Sequence, residues 1–270
     1  MNWFESIIYG LISGLTEFLP LSSSAHQQIY LQICGEVRPD YARNLFVHIG
    51  LLIAVQFFCR PMFLSIKQSS SNTRRINTVS KLSLDYRFAK AATFPMLVMF
   101  SFLTYILNES TNLILTGFVF IVNGFLMFIP DRMIKGNKDS RSMSSLDCLL
   151  FGFAGALAAI PGFSGLGASV SVGAIRGADR QNALKWALFL SIPTLMAFIV
   201  IDSIKLFSGN SFSAWNNLFH YILSLLGAFG AGYCSIKFIH YISTRQSYSI
   251  FSYYCWGAAL ITFFLYLTVV

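Results

Sequence analysis

The chain has 270 residues, of which 55% are apolar, 16% are aromatic and 11% are charged. A soluble domain carries roughly 25% charged residues, so this composition excludes an ordinary soluble domain and indicates a protein with several membrane-spanning helices. The basic residues behind the net charge of +8 lie between apolar runs. This placement is typical of cytoplasmic loops in contact with anionic membrane lipids, and it argues against a nucleic-acid-binding protein.

The first apolar segment, about 3–34, is interrupted by a polar stretch. The sequence Gly14-Leu-Thr-Glu-Phe-Leu-Pro-Leu-Ser-Ser-Ser-Ala-His26 places a carboxylate, a proline, three serines and an imidazole among apolar residues. In hydrocarbon, ionisable and helix-breaking residues are costly unless they face protein, water or a ligand. We therefore predict a polar site at membrane depth, next to a helix break at Pro20.

Six further apolar runs are long enough to span a membrane, at about 44–59, 88–107, 112–129, 183–204, 217–238 and 250–270. The segment 60–90 carries seven lysines and arginines against the single Asp85. The positive-inside rule assigns it to the cytoplasmic side, together with the loop near 130–145. We predict one membrane domain, with a first repeat at about 1–129, a second at about 146–270, and basic cytoplasmic loops at about 60–87 and 130–145.

A second broken segment, about 146–175, has cytoplasmic charge near both ends, so it is predicted to enter the membrane and return with its tip at 161–167. The first broken segment then dips in from the outer face with its tip at 20–26. Two hairpins of opposite direction are typical of inverted-topology repeats, with the site where the tips meet. Leu19-Pro-Leu-Ser-Ser-Ser-Ala25 also resembles Ile160-Pro-Gly-Phe-Ser-Gly-Leu-Gly-Ala168, and Pro95 and Pro193 both lie inside apolar runs. Alternatively, prolines are simply common in membrane helices.

The two tips suit a phosphate group. Re-entrant segments present helix N-termini near the midplane, where free N–H groups and the positive dipole end favour anions. Glycines let a backbone approach a ligand closely, and serines donate hydrogen bonds without adding charge. An imidazole such as His26 is a candidate nucleophile or general acid, and Glu17 could orient it, hold a metal or act as a base.

Each of these residues also has a structural interpretation. Glu17 could be satisfied by backbone at the helix break, His26 could bridge helices, and the serines and glycines could cap or pack helices. His48, a polar residue within an apolar helix, is equally consistent with either role. Asp147 fits an N-terminal helix carboxylate, and the five scattered cysteines indicate neither a disulfide framework nor a metal cluster.

The chain resembles the bacterial undecaprenyl-pyrophosphate phosphatase (bacitracin-resistance) family of integral membrane enzymes. The likeness runs nearly end to end, and includes the motif ending at His26, Leu45-Phe-Val-His-Ile-Gly-Leu-Leu-Ile-Ala-Val55, Ala159-Ile-Pro-Gly-Phe-Ser164 and Phe189-Leu-Ser-Ile-Pro193. The resemblance implies an all-α fold of six transmembrane helices and two re-entrant hairpins. It also implies an outward-facing site in the bacterial inner (plasma) membrane that removes the terminal phosphate from a C55 polyprenyl pyrophosphate, which recycles the lipid carrier of envelope polymers.

On this basis we predict that Glu17, His26 and Ser23 are catalytic. Glu17 is also the predicted ligand of a divalent cation, Mg²⁺ or Ca²⁺, which is a family trait. The predicted substrate-binding residues are Ser22, Ser24, Gly162, Ser164, Gly165 and Gly167. The expected partners are a polyprenyl (pyro)phosphate lipid, anionic membrane lipids and a second copy of the chain in a homodimer.

Two departures from the family pattern concern the site. Ser13 stands where the family has a further glutamate, and Gly165 and Leu166 stand where it has an arginine and a second serine. An arginine that stabilises phosphoryl transfer can contribute about 10³–10⁵ in rate. Arg176 lies eleven residues beyond Gly165, which is about 16 Å along a helix, so neither it nor Arg180 is expected to replace that arginine.

Two hypotheses from different classes follow. The chain is a polyprenyl-pyrophosphate phosphatase, or it is a catalytically inactive homologue that binds, transports or flips a polyprenyl-phosphate-linked lipid. A basic residue close to Ser164 and His26 would favour the enzyme. An ion channel is disfavoured because no spanning run carries a row of like charges.

Overall fold

The computed structural model describes residues 2–36, 40–69, 76–107, 112–133, 136–208, 217–245 and 247–269. Within these ranges the chain forms ten α-helices: α1 Trp3–Glu17, α2 Ser23–Ile33, α3 Tyr41–Ser69, α4 Ile76–Leu107, α5 Leu113–Arg132, α6 Ser145–Ala156, α7 Gly165–Ile175, α8 Arg180–Ser208, α9 Leu218–Arg245 and α10 Ser249–Val269. Six of them (α3, α4, α5, α8, α9 and α10) are long and apolar enough to cross a membrane. The protein is a multi-pass membrane protein, which confirms the predicted fold class.

Both predicted helix breaks are present, although each lies slightly earlier than its predicted tip. The first break covers 18–22 between α1 and α2, and the second follows a 3₁₀ turn at Leu157–Ala159 and ends where α7 begins. The tip bounds of 20–26 and 161–167 were therefore too late. Ser22 and Ser164 are the N-cap residues of α2 and α7, so the residues that follow them are already helical.

The basic segment at 60–87 is largely helical rather than a loop. α3 continues to Ser69 and α4 begins at Ile76, and residues 70–75 lie outside the described part of the chain. Lysine and arginine are good helix formers, so a helix can continue past the end of its apolar stretch into water. The second predicted loop agrees better with the structure, because α5 ends at Arg132 and α6 begins at Ser145.

The helix packing has the same pattern in the two halves of the chain. α1 packs on α9 as α6 packs on α4, α3 packs on α9 as α8 packs on α4, and α3 meets α8 as α5 meets α10. When α1–α5 are matched in order with α6–α10, the first two pairs of contacts exchange, and α3·α8 and α5·α10 are contacts between matched helices. This pattern supports the inverted repeat, which remains a prediction. Pro95 and Pro193 lie in α4 and α8, which are not matched helices, so their similar contexts do not support it.

Ion pairs join the helix ends that lie near the predicted cytoplasmic loops. Asp131 accepts hydrogen bonds from Arg180 (2.6 Å) and from the Ser249 hydroxyl (2.7 Å). The buried Asp85 accepts from Lys185 (3.0 Å) and from the Trp186 indole N–H (2.9 Å). On the second hairpin, Asp147 forms a capping box with Ser144, as expected for a helix N-terminus, and pairs with Arg176.

Candidate functional site

The tips of the two hairpins contact each other, as the sequence predicts. The Gly162 N–H donates to the Ser22 hydroxyl oxygen at 3.0 Å, and the Ser164 hydroxyl lies 3.5 Å from the Leu19 carbonyl oxygen. A Cβ on Gly167 would lie only 2.7 Å from Pro20 Cβ. Backbone is therefore close to backbone at the junction, and the N-termini of α2 and α7 begin there.

Asn123 of α5 joins the two breaks and was missed by the sequence analysis. Its side chain is fully buried, donates from Nδ2 to the Pro20 carbonyl oxygen at 3.0 Å and accepts at Oδ1 from the Ser164 N–H, also at 3.0 Å. An amide in the interior of the apolar run 112–129 is a usable signal, because such a group is costly in a membrane unless it has partners.

A cavity of about 300 Å³ lies beside the junction. The ends of three transmembrane helices surround it, near Tyr41 of α3, Leu107 of α4 and Lys205 of α8. The basic segment between α3 and α4 lies at the opposite ends of these two helices. The positive-inside rule predicts that this segment is cytoplasmic, and it therefore predicts that the cavity lies in the outer half of the protein.

Most of the predicted site residues line this cavity, namely Glu17, Ser22, Ser23, Ser24, Ser164 and Gly165. Gly162 and Gly167 lie instead in the contact between the tips and their neighbours. At Gly162 the backbone has φ +102°, and a Cβ there would lie 2.7 Å from Val119. These two glycines allow the close packing that shapes the cavity without lining it.

His26 lies on the other side of the first tip, outside the lining of the cavity. Its Nδ1 bonds to the Ser22 carbonyl oxygen at 2.8 Å, and its Nε2 bonds to the Tyr254 hydroxyl at 2.8 Å. A carbonyl oxygen only accepts, so Nδ1 carries the proton. The ring also contacts Phe120 edge to face, with 5.4 Å between centroids. His26 thus links α2 to α5 and α10, and its predicted catalytic role remains a prediction.

A neutral cluster occupies the position where the family has its further glutamate. The Gln27 amide donates to the hydroxyls of Ser13 (2.8 Å) and Ser23 (3.3 Å), and the Ser23 hydroxyl lies 3.3 Å from the Ser13 carbonyl oxygen. Glu17 lies beside Ser23 and interacts electrostatically with His48. The cluster positions Ser23 and leaves Glu17 as the carboxylate at this tip.

The arginine position of the second tip has no room for a side chain. A Cβ on Gly165 would lie 2.6 Å from the Gly155 carbonyl oxygen and 2.7 Å from Ala158 Cβ. Arg176 and Arg180 pair with Asp147 and Asp131, which agrees with the expectation that neither replaces the arginine.

Among the described residues that line the cavity, Lys205 is the one lysine or arginine, and it lies over the Tyr41 ring at 5.3 Å from the centroid. The bonding partners of Ser164 are Asn123, Leu19 and Gly167. The basic residue that would have favoured the enzyme by bonding both Ser164 and His26 is therefore not found in the described part of the chain.

The donors present fit a divalent cation that arrives with a phosphate rather than a resident metal. Within the described ranges, no group of three or more histidine, cysteine, aspartate or glutamate side chains could hold a metal ion. Mg²⁺ is commonly held by one or two carboxylates together with substrate phosphates and water. Glu17, next to the Ser23 hydroxyl, provides a donor set of this smaller kind.

Comparison with known proteins identifies the family. The family model described as bacitracin resistance protein BacA matches residues 6–261. The chain belongs to this family. It is similar to proteins named undecaprenyl-diphosphatase, with 29% identity over 97% of both chains for the protein of Methanobrevibacter smithii. The relative from Nocardioides sp. is 31% identical, over 94% of this chain and 93% of its own length. The relative from Carboxydothermus hydrogenoformans is 29% identical, over 95% of this chain and 94% of its own length.

Proposed function

We propose that this BacA-family protein hydrolyses the terminal phosphate of undecaprenyl pyrophosphate at the outer side of the bacterial inner membrane. The observation that carries the proposal is the meeting of two helix N-termini at a hydroxyl-lined cavity. Such N-termini are favourable sites for phosphate. The names of the relatives supply the substrate, and the match to the BacA family supplies the context.

The pyrophosphate binds with its charged end at the junction of the tips. The first turns of α2 and α7 offer backbone N–H groups, and Ser22, Ser24 and Ser164 offer hydroxyls beside them. Lys205, close to the end of α8, attracts the anion toward the cavity. A space of about 300 Å³ is in the range of small-molecule pockets, so it holds the headgroup while the polyprenyl tail stays in the lipid.

Glu17 and Ser23 contact the terminal phosphoryl group from the first hairpin. A divalent cation bound with the substrate would be held by Glu17 and would supply neutralisation of the phosphate charge. The Ser23 hydroxyl is held in place by Gln27, so it meets the phosphate in a fixed orientation. His26 acts on the same tip through its bond to the Ser22 carbonyl oxygen, which fixes the first turn of α2.

The test is phosphate release from undecaprenyl pyrophosphate by the purified protein in detergent, with and without Mg²⁺ or Ca²⁺. The variants Glu17→Gln and Ser23→Ala should lose release, which excludes a contaminating phosphatase. Ser203→Ala is the matched control, because the Ser203 hydroxyl bonds only its own helix backbone and lies outside the cavity lining. Release that is absent from the wild type while lipid binding persists would instead support the non-catalytic hypothesis.

A further inference from the structure

A histidine–carboxylate pair lies in the wall of the cavity, outside both hairpins. His48 of α3 and Asp202 of α8 are 8% and 6% exposed, and their Nδ1 and Oδ2 atoms are 2.6 Å apart. The carboxylate can only accept, so Nδ1 carries the proton. Phe198 stacks on the imidazole, with ring centroids 4.9 Å apart and 13° between the planes. The ring is held in one orientation and one tautomer.

The second ring nitrogen of His48 is left for the cavity. In the described ranges, no hydrogen bond joins Nε2 to another residue, and this nitrogen is not among the fully buried atoms that lack a partner. Both His48 and Asp202 line the cavity, as do Ser22 and Ser23. His26 differs in both respects, because its two nitrogens are bonded and it lies outside the lining. Among the described residues, His48 is the imidazole that a ligand in this cavity can reach.

We infer that His48, positioned by Asp202, is the general base that activates the water attacking the terminal phosphorus. This inference rests on the proposed function. A bond forms between the water oxygen and the terminal phosphorus, and the bond from that phosphorus to the bridging oxygen breaks. The bridging oxygen leaves with the electron pair on undecaprenyl phosphate, and the water proton moves to His48 Nε2. Asp202 is a positioning residue that stabilises the imidazolium so formed, as in other Asp–His pairs.

This assignment gives the site a positive charge without the motif arginine. The cationic form of His48 arises while negative charge is redistributed on the phosphoryl group, in a cavity where Lys205 is the one lysine or arginine among the described lining residues. The charged groups that face the imidazole are Asp202, through its bond, and Glu17, through space.

The first experiment compares His48→Gln with the wild type in the phosphate-release assay. Glutamine can still donate to Asp202 but is no base, so kcat should fall by about 10²–10⁴, the usual contribution of a general base, with KM within about threefold. His240→Gln is the matched control, because His240 is exposed and outside the cavity lining. A fall in kcat of less than about tenfold would overturn the assignment, since a general base contributes more.

The second experiment asks whether Asp202 acts through His48. Asp202→Asn should lower kcat at least about tenfold in the wild type and leave the rate of His48→Gln unchanged, because residues that act as a unit are non-additive. A further loss in the double variant would refute the positioning role. If His48→Gln is not recovered folded, a kcat for Asp202→Asn within about twofold of the wild type overturns the inference. An inactive wild type would refute the proposed function itself, whereas an active wild type with an unaffected His48→Gln refutes only this inference.

Discussion

The two hairpins share a backbone design and differ in what their side chains supply. In each, a proline break is followed by a serine N-cap and a short helix that begins at the cavity. The first hairpin contributes Glu17 and a row of serines, whereas at the second the arginine position is a glycine packed against the Gly155 carbonyl oxygen. The first hairpin therefore supplies most of the reactive side chains, while the second provides backbone N–H groups and the shape of the cavity wall.

The backbone strain is also unequal. Ser22 has φ +67° and is the one non-glycine residue with positive φ in the described ranges, while the corresponding stretch of the second hairpin has Gly162 at φ +102°. A serine in this region is unfavourable relative to glycine. Its hydroxyl accepts from the Gly162 N–H, so the side chain that strains the first tip also joins it to the second.

The largest expected effect is a difference in kcat between a variant of the first hairpin and a variant of the second. Glu17→Gln should lower kcat by about 10²–10⁴ because it removes the carboxylate at the first tip. Ser164→Ala, on the second tip, should lower kcat by no more than about tenfold, since neutral hydrogen bonds contribute about 0.5–1.5 kcal/mol. Steady-state phosphate release measures both. Equal losses would contradict the division between the hairpins.

The next effect concerns the closed arginine position. Gly165→Ala should lower the free energy of unfolding by about 1–3 kcal/mol, the usual cost of overpacking, since the atom nearest to the new Cβ is the Gly155 carbonyl oxygen. Gly165→Arg should therefore fail to raise activity, although it restores the family residue. Thermal unfolding in detergent measures the stability. Gly230→Ala is the control, because no atom lies within 4 Å of a Cβ there, and a similar loss in that variant would contradict the explanation.

A smaller effect is expected at the link between the tips. Asn123→Ala leaves the Ser164 N–H without its partner and leaves the Pro20 carbonyl oxygen with only the Cys255 thiol, 3.8 Å away. A buried group left without a partner costs about 1–3 kcal/mol. The melting temperature should fall, and hydrogen exchange at both tips should become faster. Ser203→Ala should change neither. Faster exchange at one tip alone would show that Asn123 does not couple the two hairpins.

The smallest effect is expected in the neutral cluster. Ser13→Ala leaves the Gln27 amide with Ser23 as its remaining partner, so kcat/KM should fall by about two- to tenfold, in keeping with one neutral hydrogen bond. Ser13→Glu should lower stability rather than raise activity, because Ser13 is fully buried and an unpaired buried charge is costly. A gain in Mg²⁺-dependent rate in that variant would show that the position still accepts a metal ligand.

The local sequence was sufficient to predict the helices of this protein and the breaks between them. Apolar runs of membrane length predicted the six transmembrane helices, and Pro20 and Pro161 marked the hairpin breaks to within a few residues. The serines that follow them then appeared as helix N-caps. These features depend on residues that are neighbours in the chain, because helix length, proline breaks and caps are set within one or two turns. The error over 60–87 has the same origin, since basic residues mark the end of the membrane and not the end of a helix.

Only the tertiary structure decided which polar groups share the cavity. His48 and Asp202 are 154 residues apart and Asn123 and Pro20 are 103 apart, so no local pattern joins them. The orientation of His26 away from the cavity depends on Tyr254, 228 residues away. The lack of space for a side chain at Gly165 depends on how α7 packs against α6. Such contacts follow from the packing of whole helices, where a small rotation moves a side chain from a cavity to a neighbour.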